Sequence, residues 1–352
     1  MLIRTIEDLV SMARTKGSSD VHLVCGLAPK CRIDGQMEDL DSTPLSHEDL
    51  ERYAQALAGE QYDEIRTIGE LDLARDIGGT RVRVNLYRVQ GHVSVALRLL
   101  SNVIPPLMAL NLPPAVNDLP KLQRGIVLVT GETGSGKSTT LAALLDEINH
   151  TRRQHIITLE DPVEYMYKPD LCVINQREIG SDTRSYADGL RAILREDPDI
   201  ILIGEMRDLD TIEIALTAAE TGHLVFATLH TNSAADSVDR IVQVFPGEKQ
   251  PQVRMQLSST LQAVLAQQLL PKKNERGRIA ACELMMVTPA IRNLIREGKT
   301  PQIDNAIQTS AQNGSITMDN ALIQLYRNKY ITAETAKNAS HNYEYVKRAI
   351  GF

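Results

Sequence analysis

The feature that constrains this chain most is the octapeptide Gly131-Glu132-Thr133-Gly134-Ser135-Gly136-Lys137-Ser138, followed by Thr139. It satisfies the pattern GxxxxGK[ST], and the segments on either side supply the context that the pattern needs. The apolar run Ile126–Thr130 leads in as a buried strand. A helix leads out, with Leu141, Leu144, Leu145 and Ile148 at i, i+3, i+4 and i+7. Glycines let main-chain N–H groups converge on phosphates with no Cβ in the way. The helix N-terminus adds unpaired donors and partial positive charge. Lys137 offers a point charge to β- and γ-oxygens, and Ser138 a hydroxyl to Mg²⁺. Residues 131–139 are thus predicted to bind a nucleoside triphosphate together with Mg²⁺.

Hydrolysis needs acids as well. The run Asp199-Ile200-Ile201-Leu202-Ile203-Gly204-Glu205 reads as a buried strand ending in a carboxylate. Ligands of open α/β sheets sit at the carboxyl ends of the strands, so Glu205 is predicted to face the phosphate loop and hold Mg²⁺ through its water shell. The plain alternative is a solvated acid after a core strand. A second group, Thr158-Leu159-Glu160-Asp161-Pro162-Val163-Glu164, sets three carboxylates within five positions, and Pro162 keeps Asp161 out of the α region. Such crowding is costly unless a cation or a reacting water uses it; from the residues alone, a functional and a structural role stand equal. His223 and His230 bracket the run Leu224–Leu229, a spacing unsuited to one metal. His230 is either an ordinary hydrogen-bonding residue or a sensor of the γ-phosphate.

The 352 residues suit two domains better than one. In the first hundred, Ser46, Asp49 and Gly59 mark a helix over about 47–58. Two alternating strands come next: Val82, Val84 and Leu86, then Val93, Val95, Leu97 and Leu99, with Gln90-Gly91 as the turn. Their polar face sets Arg83 beside Arg98, either as solvated arginines or as cations for a phosphate. Pro105, Pro106, Pro113, Pro114 and Pro120 mark a linker at 101–120. Beyond it, the runs Ile126–Thr130, Ile156–Leu159, Ile200–Ile203 and Leu224–Leu229 predict a parallel sheet sandwiched by helices over 121–352. Helices are expected to replace strands from about Val253, two of them opened by Thr288-Pro289 and Thr300-Pro301.

Composition excludes other classes. Net charge is −7, only 4% of residues are aromatic and tryptophan is absent, which argues against a nucleic-acid partner. Cys25, Cys31, Cys172 and Cys282 form no CxxC pair, so reduced thiols rather than a zinc site are expected. Arg4, Glu7 and Asp8 interrupt what a signal peptide would leave apolar, and no run reaches the roughly 18 apolar residues of a membrane span. These readings predict an intracellular soluble protein.

Four motifs stand in order: GETGSGKS, TLEDPVEY, DIILIGEMRD and TGHLVFATLHT. Together they resemble the Walker A, Asp box, Walker B and His box of the secretion-ATPase superfamily that drives type II secretion and type IV pili. SSDVHL (18–23) with RIDG (32–35), and the segment Ala290-Ile291-Arg292-Asn293-Leu294-Ile295-Arg296-Glu297, resemble its pilus-retraction branch. The likeness covers essentially the whole chain. It implies a PAS-like α+β N-terminal domain, a RecA-like ATPase domain and a hexameric ring of identical chains. It implies Glu164 as the general base, Glu205 as the Walker B acid, Lys137 and His230 at the phosphates, and Arg83 and Arg98 as nucleotide-closing arginines. It further implies an inner-membrane platform partner (PilC-like), sister ATPases (PilU-like or PilB-like), and residence in the cytoplasm at the inner face of the membrane.

Residues 290–297 also have a bland reading, in which Ile291, Leu294 and Ile295 form one buried face while Arg292 and Arg296 are solvated. The rivals for function are an accessory, competence- or secretion-type pilus ATPase, a small-molecule P-loop kinase, and a nucleotide-gated regulator with little turnover. A GTPase is weaker, because no NKxD motif is present.

Overall fold

The computed structural model describes residues 4–33, 35–100, 103–274 and 277–351. Asp34 of the RIDG motif, and Ser101 and Asn102 at the head of the expected linker, lie outside the described residues. The chain divides into two compact units, Met1–Val103 with Pro162–Met166, and Ile104–Asp161 with Tyr167–Phe352.

The first unit runs α1 (Ile6–Thr15), β1 (Asp20–Leu23), β2 (Lys30–Ile33), β3 (Gln36–Asp39), α2 (His47–Ala58), α3 (Tyr62–Thr67), β4 (Glu70–Ile77), β5 (Thr80–Val89) and β6 (His92–Leu99). Among the described residues its strands form one antiparallel sheet ordered β3-β2-β1-β6-β5-β4. Ser46 and Asp49 cap α2 reciprocally, and Gly59 ends it at φ 57°, as the sequence predicts. Gln90 (φ 52°) and Gly91 (φ 84°) make the turn between β5 and β6, both in the region that a two-residue hairpin requires. Val82, Val84, Leu86, Val93, Val95 and Leu97 face a core completed by Leu9 and Val10 of α1 and Leu50 and Ala54 of α2. Each large aliphatic side chain so buried contributes about 1.5–3 kcal/mol.

The second unit continues with β7 (Gly125–Thr130), α4 (Lys137–Thr151), β8 (His155–Glu160), β9 (Val173–Glu178), α5 (Tyr186–Ile193), β10 (Ile200–Ile203), α6 (Leu209–Glu220), β11 (Leu224–Leu229), α7 (Ala234–Gln243), α8 (Gln250–Thr260), β12 (Leu261–Pro271), β13 (Arg278–Met286), α9 (Pro289–Glu297), α10 (Ile303–Thr309), α11 (Met318–Arg327), α12 (Ala333–Asn338) and α13 (Tyr343–Ala349). Its sheet is ordered β13-β12-β7-β11-β10-β8-β9, parallel throughout except for the β12–β13 pair. Strands β7, β10 and β11 are buried at every position, which is why they read as unbroken apolar runs.

Three expectations are corrected. Strands do not give way to helices at Val253: β12 and β13 extend the sheet, and the helical C-terminal part starts at Pro289. Leu261, Val264 and Leu265 also suit helical spacing, and only pairing with β7 and β13 settles the conformation. Residues 104–121 do not form a plain linker. Leu107–Leu110 and Pro114–Lys121 are 3-10 turns that pack against α4 and bury Leu107, Val116 and Leu119. Thr300 does not cap a helix; it is the first residue of a short 3-10 turn, Thr300–Gln302, and its hydroxyl donates to Asp239 Oδ2 across 3.0 Å.

Candidate active site

Because the sheet is parallel, the carboxyl ends of β7, β8, β10 and β11 share one edge. Register aligns Thr130 with Leu229, and Ile203 with both Ala227 and Leu159. The edge therefore gathers the residues at and just beyond these strand ends: the loop 131–136, Glu160 and Asp161, Gly204 and Glu205, and His230.

The phosphate loop turns on Gly131 (φ 137°), Gly134 (φ 82°) and Gly136 (φ 95°). Gly136 is the left-handed N-cap of α4, and Lys137 is the first helical residue. No Cβ fits at Gly131, where it would lie 2.3 Å from Gln267 O and 2.7 Å from Ser135 Oγ. Lys137 Nζ donates to Gly131 O at 2.6 Å and to Glu132 O at 2.9 Å, which folds the ammonium over the loop. Ser135 Oγ is buried with no hydrogen-bond partner in the structure, an orphan polar atom packed close to Gly131. Ser138 and Thr139 sit in the first turn of α4. Beside the loop, Glu132–Ser135, Asn232, Gln267, Leu269 and Arg278 line a cavity of about 290 Å³.

Gln267 is a site residue that sequence reasoning missed. Its side-chain Oε1 accepts from Thr140 Oγ1 at 2.9 Å, its amide nitrogen lies against Gly136, and its carbonyl lies against Gly131. The pairing of Ala266 with Thr130 places it there. The available signal is a glutamine pair in an otherwise apolar run, which the expectation of helices beyond about Val253 obscures.

Glu205 accepts from Arg207 Nε at 2.6 Å and lies 3.0 Å from His230 Nε2. Burial pushes its carboxyl up, but the Arg207 guanidinium and His230 outweigh that and hold it below the usual carboxylate range. Sequence reasoning gives Arg207 no role, because a residue just past a strand end carries no periodic signal. Gly204 is needed for close approach, because a Cβ there would meet Tyr186 Oη at 2.9 Å. Burial pushes the Tyr186 phenol far up, with Asp161, Glu205 and Glu160 adding to it, so it stays neutral. Glu160 accepts from Thr158 Oγ1 at 2.6 Å and from Gln176 Nε2 at 3.3 Å.

Glu164 belongs to the 162–166 segment of the first unit, where Val163 O accepts from Arg81 Nε at 3.3 Å. In the first unit, Arg83 and Arg98 are directly opposite on β5 and β6. Arg98 Nε is paired with Asp20 Oδ1 at 2.9 Å, and both arginines border a groove shared with His22, Asp72, Asn85 and Leu97.

Helix α9 carries residues 290–297. Thr288 caps it and Gly298 ends it in the left-handed region. Ile291 and Ile295 are buried and Leu294 is half-buried against the same core. Arg292 is not solvated as the bland reading had it: it donates to Ser258 O (2.7 Å), Ser259 O (3.1 Å) and Gln262 Oε1 (3.1 Å) at the C-terminus of α8. Asn293, Arg296 and Glu297 are exposed.

Among the described residues, no group of three or more histidine, cysteine or acidic side chains could cage a metal. The donor set does fit Mg²⁺, which takes one or two hard oxygen ligands and leaves the rest to phosphates and water. Ser138 would supply a hydroxyl, and Glu205 a carboxylate held in its ionised form by Arg207 and His230. No helix of the described residues is long and apolar enough to cross a membrane.

Comparison with known proteins places these features. The family described as "Type II/IV secretion system protein" matches residues 1–337. The type IV pilus retraction ATPase PilT of Pseudomonas aeruginosa is 44% identical over 334 residues, covering 94% of this chain and 97% of that protein. A twitching motility protein of Neisseria gonorrhoeae is 42% identical over 341 residues, covering 96% and 91%. The crystal structure of the pilus retraction motor PilT with bound ADP superposes with a TM-score of 0.92 at 44% identity, covering 98% of this chain and 99% of that one.

Proposed function

The chain belongs to the type II/IV secretion system protein family, and from that premise we propose that it is an ATP-hydrolysing motor that powers retraction of a type IV pilus. The observation that carries this reading is a glycine cradle with an orphan hydroxyl and a folded-over lysine, set on the same sheet edge as an ionised Glu205. Near-complete two-way coverage of a retraction ATPase supports the choice of work.

Phosphoryl transfer to water needs positioning, charge neutralisation and an oriented nucleophile. The main-chain N–H groups of 131–136 and the N-terminus of α4 seat the phosphates. Lys137 leaves the loop carbonyls to neutralise the β- and γ-oxygens. Ser138 would hold Mg²⁺, with Glu205 acting through water; the ion supplies further charge neutralisation. His230, fixed by Glu205, faces the γ-phosphate side. Glu164 orients and deprotonates the attacking water, and Arg83 and Arg98 serve as further cations for the phosphates. The working assembly is a homohexamer that acts on the inner-membrane platform of the pilus from the cytoplasmic side.

The test is phosphate release with Mg-ATP from the isolated chain. Wild type releases free phosphate. Lys137→Ala loses both nucleotide binding and release, and Glu164→Gln binds ATP but falls to background. Wild-type release from Lys137→Ala would overturn the site; a phosphorylated small molecule in place of free phosphate would favour a kinase. Retraction in cells that depends on the intact Glu164 then tests the motor assignment.

A further inference from the structure

Glu283 is an acid in an unexpected place. It lies on β13 with only 2% of its surface exposed. Its Oε1 accepts from Ala234 N at 2.8 Å and its Oε2 from Met318 N at 3.2 Å. Ala234 and Met318 are the first residues of α7 and α11, 84 positions apart in sequence. Each helix already has its own cap: Ser233 accepts from Asp236 N, and Thr317 from Asn320 N. Those caps serve the third helical N–H and leave the first without a partner. One side chain therefore closes both helix starts. Burial pushes its carboxyl up, while the two N–H donors and His341 pull against that.

The segments that the two helices connect give the arrangement its meaning. Helix α7 comes directly after His230–Ser233, the segment that meets Glu205 and contributes Asn232 to the cavity beside the phosphate loop. Thr231 and Ser237, 2.7 Å apart at their hydroxyls, tie that segment to the first turn of α7. Helix α11 buries Met318, Leu322 and Ile323 in one cluster with Ile331 of the following connection and with Ala336 and Val346 of the C-terminal helices. Strand β13 meets the chain before α11 through reciprocal bonds between Leu284 and Ile316. On its other side, Glu283 pairs with Ala266, next to the Gln267 that braces the phosphate loop.

We propose that Glu283 is a positioning residue that couples the nucleotide-facing segment 230–233 to the C-terminal helices through the N-terminus of α11. A displacement of the α7 start is passed to α11, because both N-termini share one acceptor group. The consequence for turnover rests on the ATPase reading above; the mechanical link does not.

The experiment is backbone hydrogen exchange on the full chain, in peptides covering 234–237 and 318–321. Ser233→Ala removes the α7 cap alone and is expected to speed exchange in 234–237 by about fivefold. Through Glu283 it also speeds exchange in 318–321, and Thr317→Ala does the reverse. In a Glu283→Gln background each effect stays within its own helix. If neither cap variant crosses over while Glu283 is intact, the link is overturned, and this arm needs no change at Glu283. For catalysis, Thr317→Ala is expected to lower kcat while KM for ATP stays within about twofold; an unchanged kcat overturns the reach to the site. A wild-type chain that releases no phosphate would instead condemn the ATPase reading, and the exchange cross-over would still decide the link by itself.

Discussion

Thr140 Oγ1 donates to Gln267 Oε1 across 2.9 Å in a buried setting, so helix α4 and strand β12 grip the phosphate loop from two sides. Gln267→Leu strands the Thr140 hydroxyl at a cost of about 1–3 kcal/mol. Nucleotide affinity is expected to fall by about tenfold as the loop loosens, a change of about 1.4 kcal/mol. Thr140→Val made on top of it should add little, because the two changes remove one shared bond. Fluorescent-nucleotide titration of the four-protein cycle checks this, and fully additive losses would show that the residues act separately.

The loop glycines are unequal. Gly131→Ala drives a methyl group to within 2.3 Å of Gln267 O at a φ of +137°. We expect lost nucleotide binding and a stability loss beyond about 3 kcal/mol. Gly134 has the same left-handed constraint (φ +82°) but open space around it, so Gly134→Ala incurs only backbone strain of about 1–2 kcal/mol. Thermal melts of the two variants, with and without nucleotide, test the order; equal losses would contradict it.

Glu205 links site chemistry to acid stability. Its folded pKa lies below the ordinary 4.5, so its contribution is fully present above that value and is lost as pH falls through the lower folded value. Glu205→Gln should therefore show a shallower loss of melting temperature on acidification than wild type. At neutral pH the variant should still bind ATP while kcat falls by about 10²-fold or more. Parallel acid-side slopes in the two proteins would refute the stability part.

Within residues 290–297, substitutions are expected to separate a role in stability from a role in retraction. Arg292→Ala uncaps the α8 carbonyls and is expected to cost about 1–3 kcal/mol. Leu294→Ala trims a half-buried side chain; the protein stays folded and hydrolyses ATP, but retraction in cells is impaired. Unfolding measurements beside a motility assay distinguish the two, and normal retraction with Leu294→Ala removes the partner role.

Local rules were legible where one residue's chemistry decides the conformation. The phosphate loop's strand and helix, the capping of α2 by Ser46 and Asp49, the Gln90-Gly91 turn and the Thr288–Gly298 limits of α9 each depend on neighbours within a few positions. Strand β9 was missed because it is an edge with a single fully buried position, so it carries no apolar run. The β12–β13 hairpin was missed because its apolar spacing suits two periods. The bonds of Arg292 are not legible in the sequence because its acceptors, Ser258 and Ser259, are some 33 positions away.

The amino-acid sequence alone determined the elements whose preference is local: buried parallel strands, capped helices, and a glycine loop that only phosphate chemistry explains. Tertiary structure decided everything that depends on distance between remote residues. It put Gln267 under the loop by aligning β12 with β7, joined Glu205 to His230 across adjacent strand ends, and gave Glu283 two helix starts to hold. A hydrogen bond contributes only within about 3.5 Å, and periodicity along a chain carries no record of which remote partner will arrive at that distance.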